Sequence, residues 1–596
     1  MARIGVFVCH CGFNIASTVD VQRVAEVLRD YPGVAFTADY KYMCSDPGQA
    51  LIQQAITEHN LDGVVVAACS PAMHEATFRK AAAAAGLNPY LVEIANIREQ
   101  ISWPHRDAPE AATCKAIETV RALVEKVRYD EPLVPLTLPL TKRALVVGGG
   151  IAGLTAALDI ADAGYPVILV ERSDRLGGRM SEHAPLYLNF DDSENLLEER
   201  VAAVKQHRLI QVLTNAEVTG FEGYVGNFTV EVSGSPSWAS DESGVTAQTC
   251  DHETHHLEIG AVVLATGFDL YAKENLPEYG GGRYPNVVDS HQFEAMLKTG
   301  EIRCLSDGRV PREVAWVQCA GSRDPNLHRP YCSKICCMYV AKQSIAYRRA
   351  VPDGQAYVFY IDIRSQGRGY DEFVQRAMEE FGVVYLRGKV SKIIERVAAD
   401  KVHRGDKLRQ GDKLRRLEVW GADTLSGKSV RVEVDLVVLA TAAVPSAGSD
   451  DLARLMRVAT DESGFLAEAH PKLRPVESLT AGIYLAGAAQ FPKDIPETTS
   501  QASGAAAKVL QLFAQREMVA EPTIAVVDEE LCAGCGRCVS VCPYDARALH
   551  PWKPLATVNA ALCQSCGACA VACPNKATVM RNLTTGQVLA MAEAVL

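Results

Sequence analysis

Near its C-terminus the chain carries one cysteine pattern twice. The first copy is Cys532-x2-Cys535-x2-Cys538-x3-Cys542-Pro543, and the second, 31 residues on, is Cys563-x2-Cys566-x2-Cys569-x3-Cys573-Pro574. In the bacterial two-cluster ferredoxin pattern, three closely spaced thiolates wrap one face of an iron–sulfur cube and the fourth cysteine ligates the other cube. The spacing therefore predicts one [4Fe–4S] cluster on Cys532, Cys535, Cys538 and Cys573, and a second on Cys542, Cys563, Cys566 and Cys569. Gly534, Gly536, Gly567 and Ala568 leave room for backbone N–H groups at the sulfurs, where hydrogen bonds help set the reduction potential. Zinc knuckles are the alternative, but zinc does not ask for this spacing closed twice by Cys-Pro.

The chain holds 19 cysteines among 596 residues. No apolar run is long enough to cross a bilayer, and MARIGVFVCHCG enters a strand-like segment without a basic leader. So many cysteines without a signal segment point to thiolate ligands in a reducing, cytoplasmic setting rather than to a disulfide scaffold. With 60 basic against 72 acidic residues, the net charge of −12 offers no field to recruit nucleic acid or an anionic membrane.

In the middle of the chain, a strand-like run ends in Gly148-Gly149-Gly150-Ile151-Ala152-Gly153, followed by a helix-periodic run and a second strand closing on Glu171. This is a βαβ dinucleotide fingerprint. Gly148 makes the turn, Gly150 lets a pyrophosphate reach the helix N-terminus, Gly153 permits close packing, and Glu171 can accept ribose hydroxyls. Three further motifs favour FAD over NAD by resemblance to the flavoprotein disulfide reductase superfamily. They are Arg172 to Gly178-Arg179, then Ala265-Thr266-Gly267, then Gly487-Ala488 after a strand.

That superfamily carries a second, NAD(P)H-binding βαβ unit between the last two motifs. The strand Arg312–Gln318 and a return strand near 435–442 are present, but the glycine loop is missing. Cys319-x12-Cys332-x3-Cys336-Cys337 stands in its place. A pyrophosphate has no cradle there. The four cysteines suit an iron–sulfur cluster at the mouth of the flavin site, and a CxxC dithiol does not fit because the block contains none. Lys342, five residues beyond Cys337 on a predicted helix, is a candidate catalytic cation beside the flavin, a solvated surface lysine being the alternative.

With these motifs the chain resembles the A-subunit family of heterodisulfide reductase. Cys9-His10-Cys11-Gly12, Tyr42-Met43-Cys44, Ala68-Cys69-Ser70-Pro71 and Asn96-Ile97-Arg98-Glu99 agree with that resemblance, which runs over essentially the whole chain. It implies a cytosolic FAD and iron–sulfur subunit that exchanges electrons with partners and, in the best-known members, bifurcates them. The implied partners are B- and C-like subunits, a small iron–sulfur subunit tied to hydrogenase or formate dehydrogenase, and ferredoxin, around a homodimer core. Methanogen-type members carry an extra ferredoxin domain in the first half of the flavin fold, whereas Val230–Glu258 is short and holds only Cys250. One electron entry route is thus missing, which favours relay over bifurcation. The family also includes components of benzoyl-CoA reductase and quinone-linked assemblies.

Residues 1–128 read as a small α/β unit with Cys9, Cys11, Cys44 and Cys69 at the ends of predicted strands. In a parallel sheet those ends share the edge where ligands collect. Four thiolates there suit another cluster, with Cys114 as a substitute ligand, and burial as small hydrophobes is the alternative. Cys250 and Cys304 stand alone and have no redox role in this reading.

The expected fold is α/β, a thioredoxin-reductase-like flavoprotein with two dinucleotide-type domains between an N-terminal α/β domain and a C-terminal ferredoxin. The boundaries read 1–128, a proline-containing linker 129–141, FAD domain 142–300 and 446–514, the cysteine-bearing βαβ domain 301–445, and the ferredoxin 515–596. A glutamate-synthase-small-subunit-like NAD(P)H oxidoreductase is the rival enzyme, disfavoured by the missing glycine loop. A scaffold with structural clusters is the rival non-enzyme.

Overall fold

The computed structural model describes residues 2–234, 253–398 and 414–596. Two compact units emerge. One runs through Leu138 and includes Glu517–Leu596, and the other spans Pro139–Arg516.

The first unit begins with a parallel sheet in the order Val34–Tyr40, Ile4–Cys9, Gly63–Ala68, Val92–Asn96. Ile4–Cys9 and Gly63–Ala68 are buried at every position, as the unbroken apolar runs of a sheet covered on both faces must be. Val6 and Val8 point to the helices Val21–Arg29 and Pro109–Val127. Phe7 and Cys9 point the other way, with Ile52 of Asp46–Glu58 and Phe78 of Pro71–Ala84. The strand Val92–Asn96 escapes a sequence reading because it is short and interrupted by Glu93. Two helices start earlier than periodicity implies, each with a proline in its first turn, where the missing N–H costs nothing.

The ferredoxin segment repeats itself structurally. Ala525–Val527 pairs with Thr578–Met580, and Arg547–Leu549 pairs with Ala556–Val558. A shift of 31 residues carries each strand of one pair onto a strand of the other. Pro135 and Pro139 bracket a strand, Leu136–Leu138, that pairs with Met518–Ala520. Part of the stretch read as linker is therefore sheet, with its prolines at the ends where a ladder tolerates them.

Within the second unit, five parallel strands run Ile483–Leu485, Ala261–Leu264, Ala144–Val147, Val167–Val170, Ile210–Leu213. A second parallel sheet runs Val287–Asp289, Leu436–Thr441, Glu313–Ala320, Gln355–Tyr360, Val384–Arg387. Each dinucleotide-type sheet is accompanied by a three-stranded antiparallel sheet. Among the described residues no helix is long and apolar enough to cross a membrane.

Asp130 gives the first unit a pH signature. Its carboxylate accepts from Gln587 at 2.8 Å and lies 3.1 Å from the Lys126 ammonium. Burial lifts it to about 7 despite Lys126. The folded carboxyl thus holds its proton more tightly than the unfolded one, and stability present below about pH 4 is lost as pH rises toward 7. Thermal melts should show Asp130→Asn gaining on the wild type across that window; parallel curves would contradict this.

Candidate functional site

The first helix after the glycine turn, Ile151–Asp162, takes Gly150 as its N-cap. Gly148 has φ +110°, and a Cβ on it would sit 2.4 Å from the Ala265 carbonyl oxygen. A Cβ on Gly153 would fall 1.8 Å from the Gly148 oxygen. Neither position tolerates a side chain. Gly150 differs: its φ is −77°, and a Cβ there would meet only Gly178 Cα at 4.0 Å.

The open side of this turn is a cavity of about 450 Å³. Gly148, Gly150, Ile151, Ala152, Glu171, Arg172, Gly178, Arg179, Ala265, Thr266, Gly267 and Ala488 line it, and so does Lys342. Gly153 and Gly487 stand behind the wall, where Gly487 (φ +69°) lets Ala152 and Thr498 close in. The Thr266 hydroxyl is buried on this wall without a hydrogen-bond partner. A helix N-terminus, a side-chain-free turn and an orphaned hydroxyl are what a dinucleotide pyrophosphate and its sugar need, so the residues fit FAD. Glu171 is already engaged, accepting from the Gly149 N–H at 2.7 Å and the Ser173 N–H at 2.8 Å. Arg179 is held by Asp269 at 2.6 Å.

Lys342 is not a solvated surface lysine. It is buried on the helix Cys336–Ala350, 2.6 Å from Glu294. Gln343 donates to Glu294 at 2.8 Å and the Ala184 N–H at 3.1 Å. Burial pulls Glu294 upward, but Lys342 and His183 hold it below the usual carboxylate range. His183, also on the wall, is pushed down to about 4 by burial. On the same wall, burial pushes Lys493 down to about 8. Tyr187 shares a hydrogen bond of 3.4 Å with Tyr370, which donates to Asp494 at 2.6 Å. Sequence reasoning missed these groups. Only Asp494 carries a local signal, as the N-cap before Ile495-Pro496.

Cys319 stands near the end of the strand Glu313–Ala320 with φ +56°, where the ladder register breaks. Cys336 and Cys337 open the helix Cys336–Ala350, and Cys332 precedes it. Charges on these four thiols act on one another, so the fold brings them together. Lys334 N–H donates to Cys332 Sγ and Arg364 N–H to Cys337 Sγ, each at 3.3 Å. Burial lifts Cys319 to about 11 and Cys337 to about 12, so as free thiols they would be neutral and poor nucleophiles. Ile335 and Tyr339, flanking the cysteine pair, line the flavin-type cavity.

At the edge of the N-terminal sheet, Cys9 Sγ accepts from Cys11 N–H at 3.3 Å and Met43 N–H at 3.4 Å. Arg98 donates to Cys11 Sγ at 3.2 Å. Cys9 and Cys69 both feel the Cys11 charge, and Cys9 also feels Cys44. Cys114 is exposed on Pro109–Val127 beside Arg23. Cys304 is buried alone, donating toward the Asp435 carbonyl oxygen at 3.7 Å. Cys250 lies outside the described residues.

In the ferredoxin segment Cys542, Cys563, Cys566 and Cys569 line one small pocket. Cys532 Sγ accepts from Ala556 N–H at 3.4 Å. Burial raises Cys573, but N–H groups of Asn575, Ala577 and Thr578 outweigh it and lower the thiol. Gly534, Gly536 and Gly567 all take positive φ. Among the described residues no three His, Cys, Asp or Glu side chains close on a single-ion point.

Two outcomes follow from this geometry. Gly150→Val should leave the fold intact, since its backbone is ordinary and its Cβ faces open space, while FAD is lost from the purified protein; retained flavin would refute the cradle. Cys336→Ala with Cys337→Ala should remove about four irons and keep FAD, because the glycine turn belongs to the other sheet; unchanged iron analysis would refute that site.

Residues 144–235 match the family model of FAD dependent oxidoreductases, and 525–548 and 556–578 match the 4Fe-4S binding domain. The chain is accordingly an FAD-dependent oxidoreductase carrying ferredoxin-type iron–sulfur clusters. It is 39% identical to the second iron-sulfur A-subunit of CoB--CoM heterodisulfide reductase of Methanopyrus kandleri, over 91% of this chain and 90% of that one. It is 38% identical, with the same coverage, to the A-subunit of the H(2):CoB-CoM heterodisulfide,ferredoxin reductase of Methanothermobacter thermautotrophicus. The heterodisulfide reductase A-subunit-like protein of Archaeoglobus profundus matches at 36% over 91% of each chain. The solved thioredoxin reductase of T. acidophilum superposes weakly, at 16% identity and a TM-score of 0.39 over 63% of this chain and 98% of that one. With identity of this level over nine-tenths of its length, the chain belongs to the A-subunit family of heterodisulfide reductase.

Proposed function

We propose that the chain is the electron hub of a cytoplasmic heterodisulfide-reductase-like complex, relaying electrons between a donor such as ferredoxin and partner subunits. The observation that carries this reading is the substitution at the second parallel sheet. Where a nicotinamide-binding unit needs a glycine cradle, four mutually interacting cysteines stand beside the flavin-type cavity. That arrangement supports exchange with a one-electron cluster rather than with NAD(P)H.

When bound, FAD supplies the junction between two-electron and one-electron carriers, and the protein's part is position and charge. Gly148, Gly150 and Gly153 clear the backbone approach to the pyrophosphate, and Thr266 offers a free hydroxyl. Lys342 and Glu294 form one paired unit of the cavity wall, which fixes the ammonium there without adding net charge. Cys319, Cys332, Cys336 and Cys337 hold the cluster next to the cavity. Cys9, Cys11, Cys44 and Cys69 hold another, and the ferredoxin cysteines hold two more. Relay takes precedence over bifurcation, since the Val230–Glu258 stretch is too short for an inserted ferredoxin domain.

The partners in this reading are B- and C-like subunits and a small iron–sulfur subunit tied to hydrogenase or formate dehydrogenase, on a homodimer core. The name of the Methanothermobacter relative, in which ferredoxin is one of the species reduced, supports ferredoxin as an exchange partner.

The test is viologen or ferredoxin turnover with and without co-purified subunits. The lone chain should carry about 12 to 16 irons and one FAD, resist reduction by NADPH, and turn over disulfide or thioester substrates poorly until partners are added. Equal turnover by the chain alone, or rapid flavin bleaching by NADPH, would overturn the assignment.

A further inference from the structure

The two halves of the ferredoxin segment are related by the 31-residue shift, but one pair of equivalent positions differs sharply in chemistry. Arg547 opens one strand and Thr578 opens its counterpart. The two meet, with Arg547 Nη2 donating to Thr578 Oγ1 at 3.0 Å. Arg547 is only 4% exposed, and its Nε and Nη1 are buried without any hydrogen-bond partner. A guanidinium cannot shed its proton, and burying it with open donors is costly unless a negative charge lies close by.

The pocket that Arg547 lines is also lined by Cys542, Cys563, Cys566 and Cys569. Its charge acts on Cys569. Four thiolates around an iron–sulfur core make a net anion, which is the missing partner. The other half has no such cation at the equivalent position: Thr578 stands there, bonding toward Cys573 of the other set. The pseudo-symmetry of the cysteines is complete, and the symmetry of charge around them is broken.

We propose that Arg547 is the resident counter-charge of the cube on Cys542, Cys563, Cys566 and Cys569, making that cube the more readily reduced of the C-terminal pair. This rests on the cluster reading of those cysteines. Reduction adds one negative charge to a cube, so a fixed buried cation favours the reduced form, and it does so more strongly in low dielectric than at the surface. Electrons entering the segment would settle first on this cube.

The experiment is an EPR-monitored redox titration of the full, iron-loaded chain. In the wild type the two C-terminal cubes should titrate at least about tenfold apart in reduced-to-oxidised ratio, which is 59 mV for one electron. Cys566→Ala should delete the higher-potential signal and one cube's iron, and Cys535→Ala the lower. Arg547→Gln should lower the upper midpoint by a similar factor and leave the other in place, while Arg547→Lys should restore most of it. Coincident wild-type potentials, or loss of the lower signal in Cys566→Ala, would overturn the proposal without any Arg547 variant. Unshifted midpoints in iron-replete Arg547→Gln would overturn it as well. Full iron retention in Cys566→Ala would instead sink the cluster reading, a separate failure.

Discussion

The flavin-type cavity depends on how closely the backbone can pack at Gly148. One left-handed residue at the end of Ala144–Val147 turns the chain beneath the Ala265 carbonyl, and Gly153 lets the next helix settle against that turn. Any side chain at either position would force the strand ends apart. With them closed, the Ala265-Thr266-Gly267 turn, the Gly150 N-cap and Ala488 meet at one sheet edge, and the helix N-terminus faces a cleft with no side chain in front of it. The second parallel sheet uses the corresponding edge differently. Its central strand carries a left-handed cysteine instead of a glycine, and its next helix begins with two more cysteines. The same strand-turn-helix geometry that suits a pyrophosphate gives thiolates the benefit of a helix N-terminus.

Charge compensation separates the cysteine sites from one another. Arg98 reaches Cys11 while paired with Glu99 at 2.6 Å, and Arg323, whose charge acts on Cys319, is paired with Asp362 at 2.6 Å. Each of these cations brings its own anion, so the net field at the sulfurs is modest. Arg547 keeps two donors unsatisfied in a pocket shared with four cysteines. Lys342 is the converse, a buried cation neutralised by a buried Glu294. Removing one member of such a pair leaves the other uncompensated, which costs about 3–5 kcal/mol, so the pair is best regarded as one unit of the cavity wall.

Local chemistry makes much of this molecule legible from sequence. A cube dictates cysteine spacing and a pyrophosphate dictates glycine at set intervals after a strand, so each motif is a short run that its own residue types give away, and the runs can then be matched along the chain. Contacts that no such motif marks could not be read. Leu136–Leu138 looks like linker until Met518–Ala520 arrives to pair with it, and Val92–Asn96 is a strand only because Gly63–Ala68 lies alongside. Glu294 approaches Lys342 from a different helix, and the hydrogen bonds of Tyr187, Tyr370 and Asp494 join three distant segments.

The sequence by itself determined the cofactor chemistry, the family and the two kinds of βαβ unit, because thiolate and phosphate binding impose short-range rules that few residues satisfy. Only the tertiary structure decided which charges stand beside those groups. Arg547 and Thr578 are equivalent by the repeat, yet their contact and the burial of the guanidinium arise only where two strands of different pairs come together in the fold. Electrostatic strength depends on separation in space and exclusion of water, and neither quantity is carried by residue spacing.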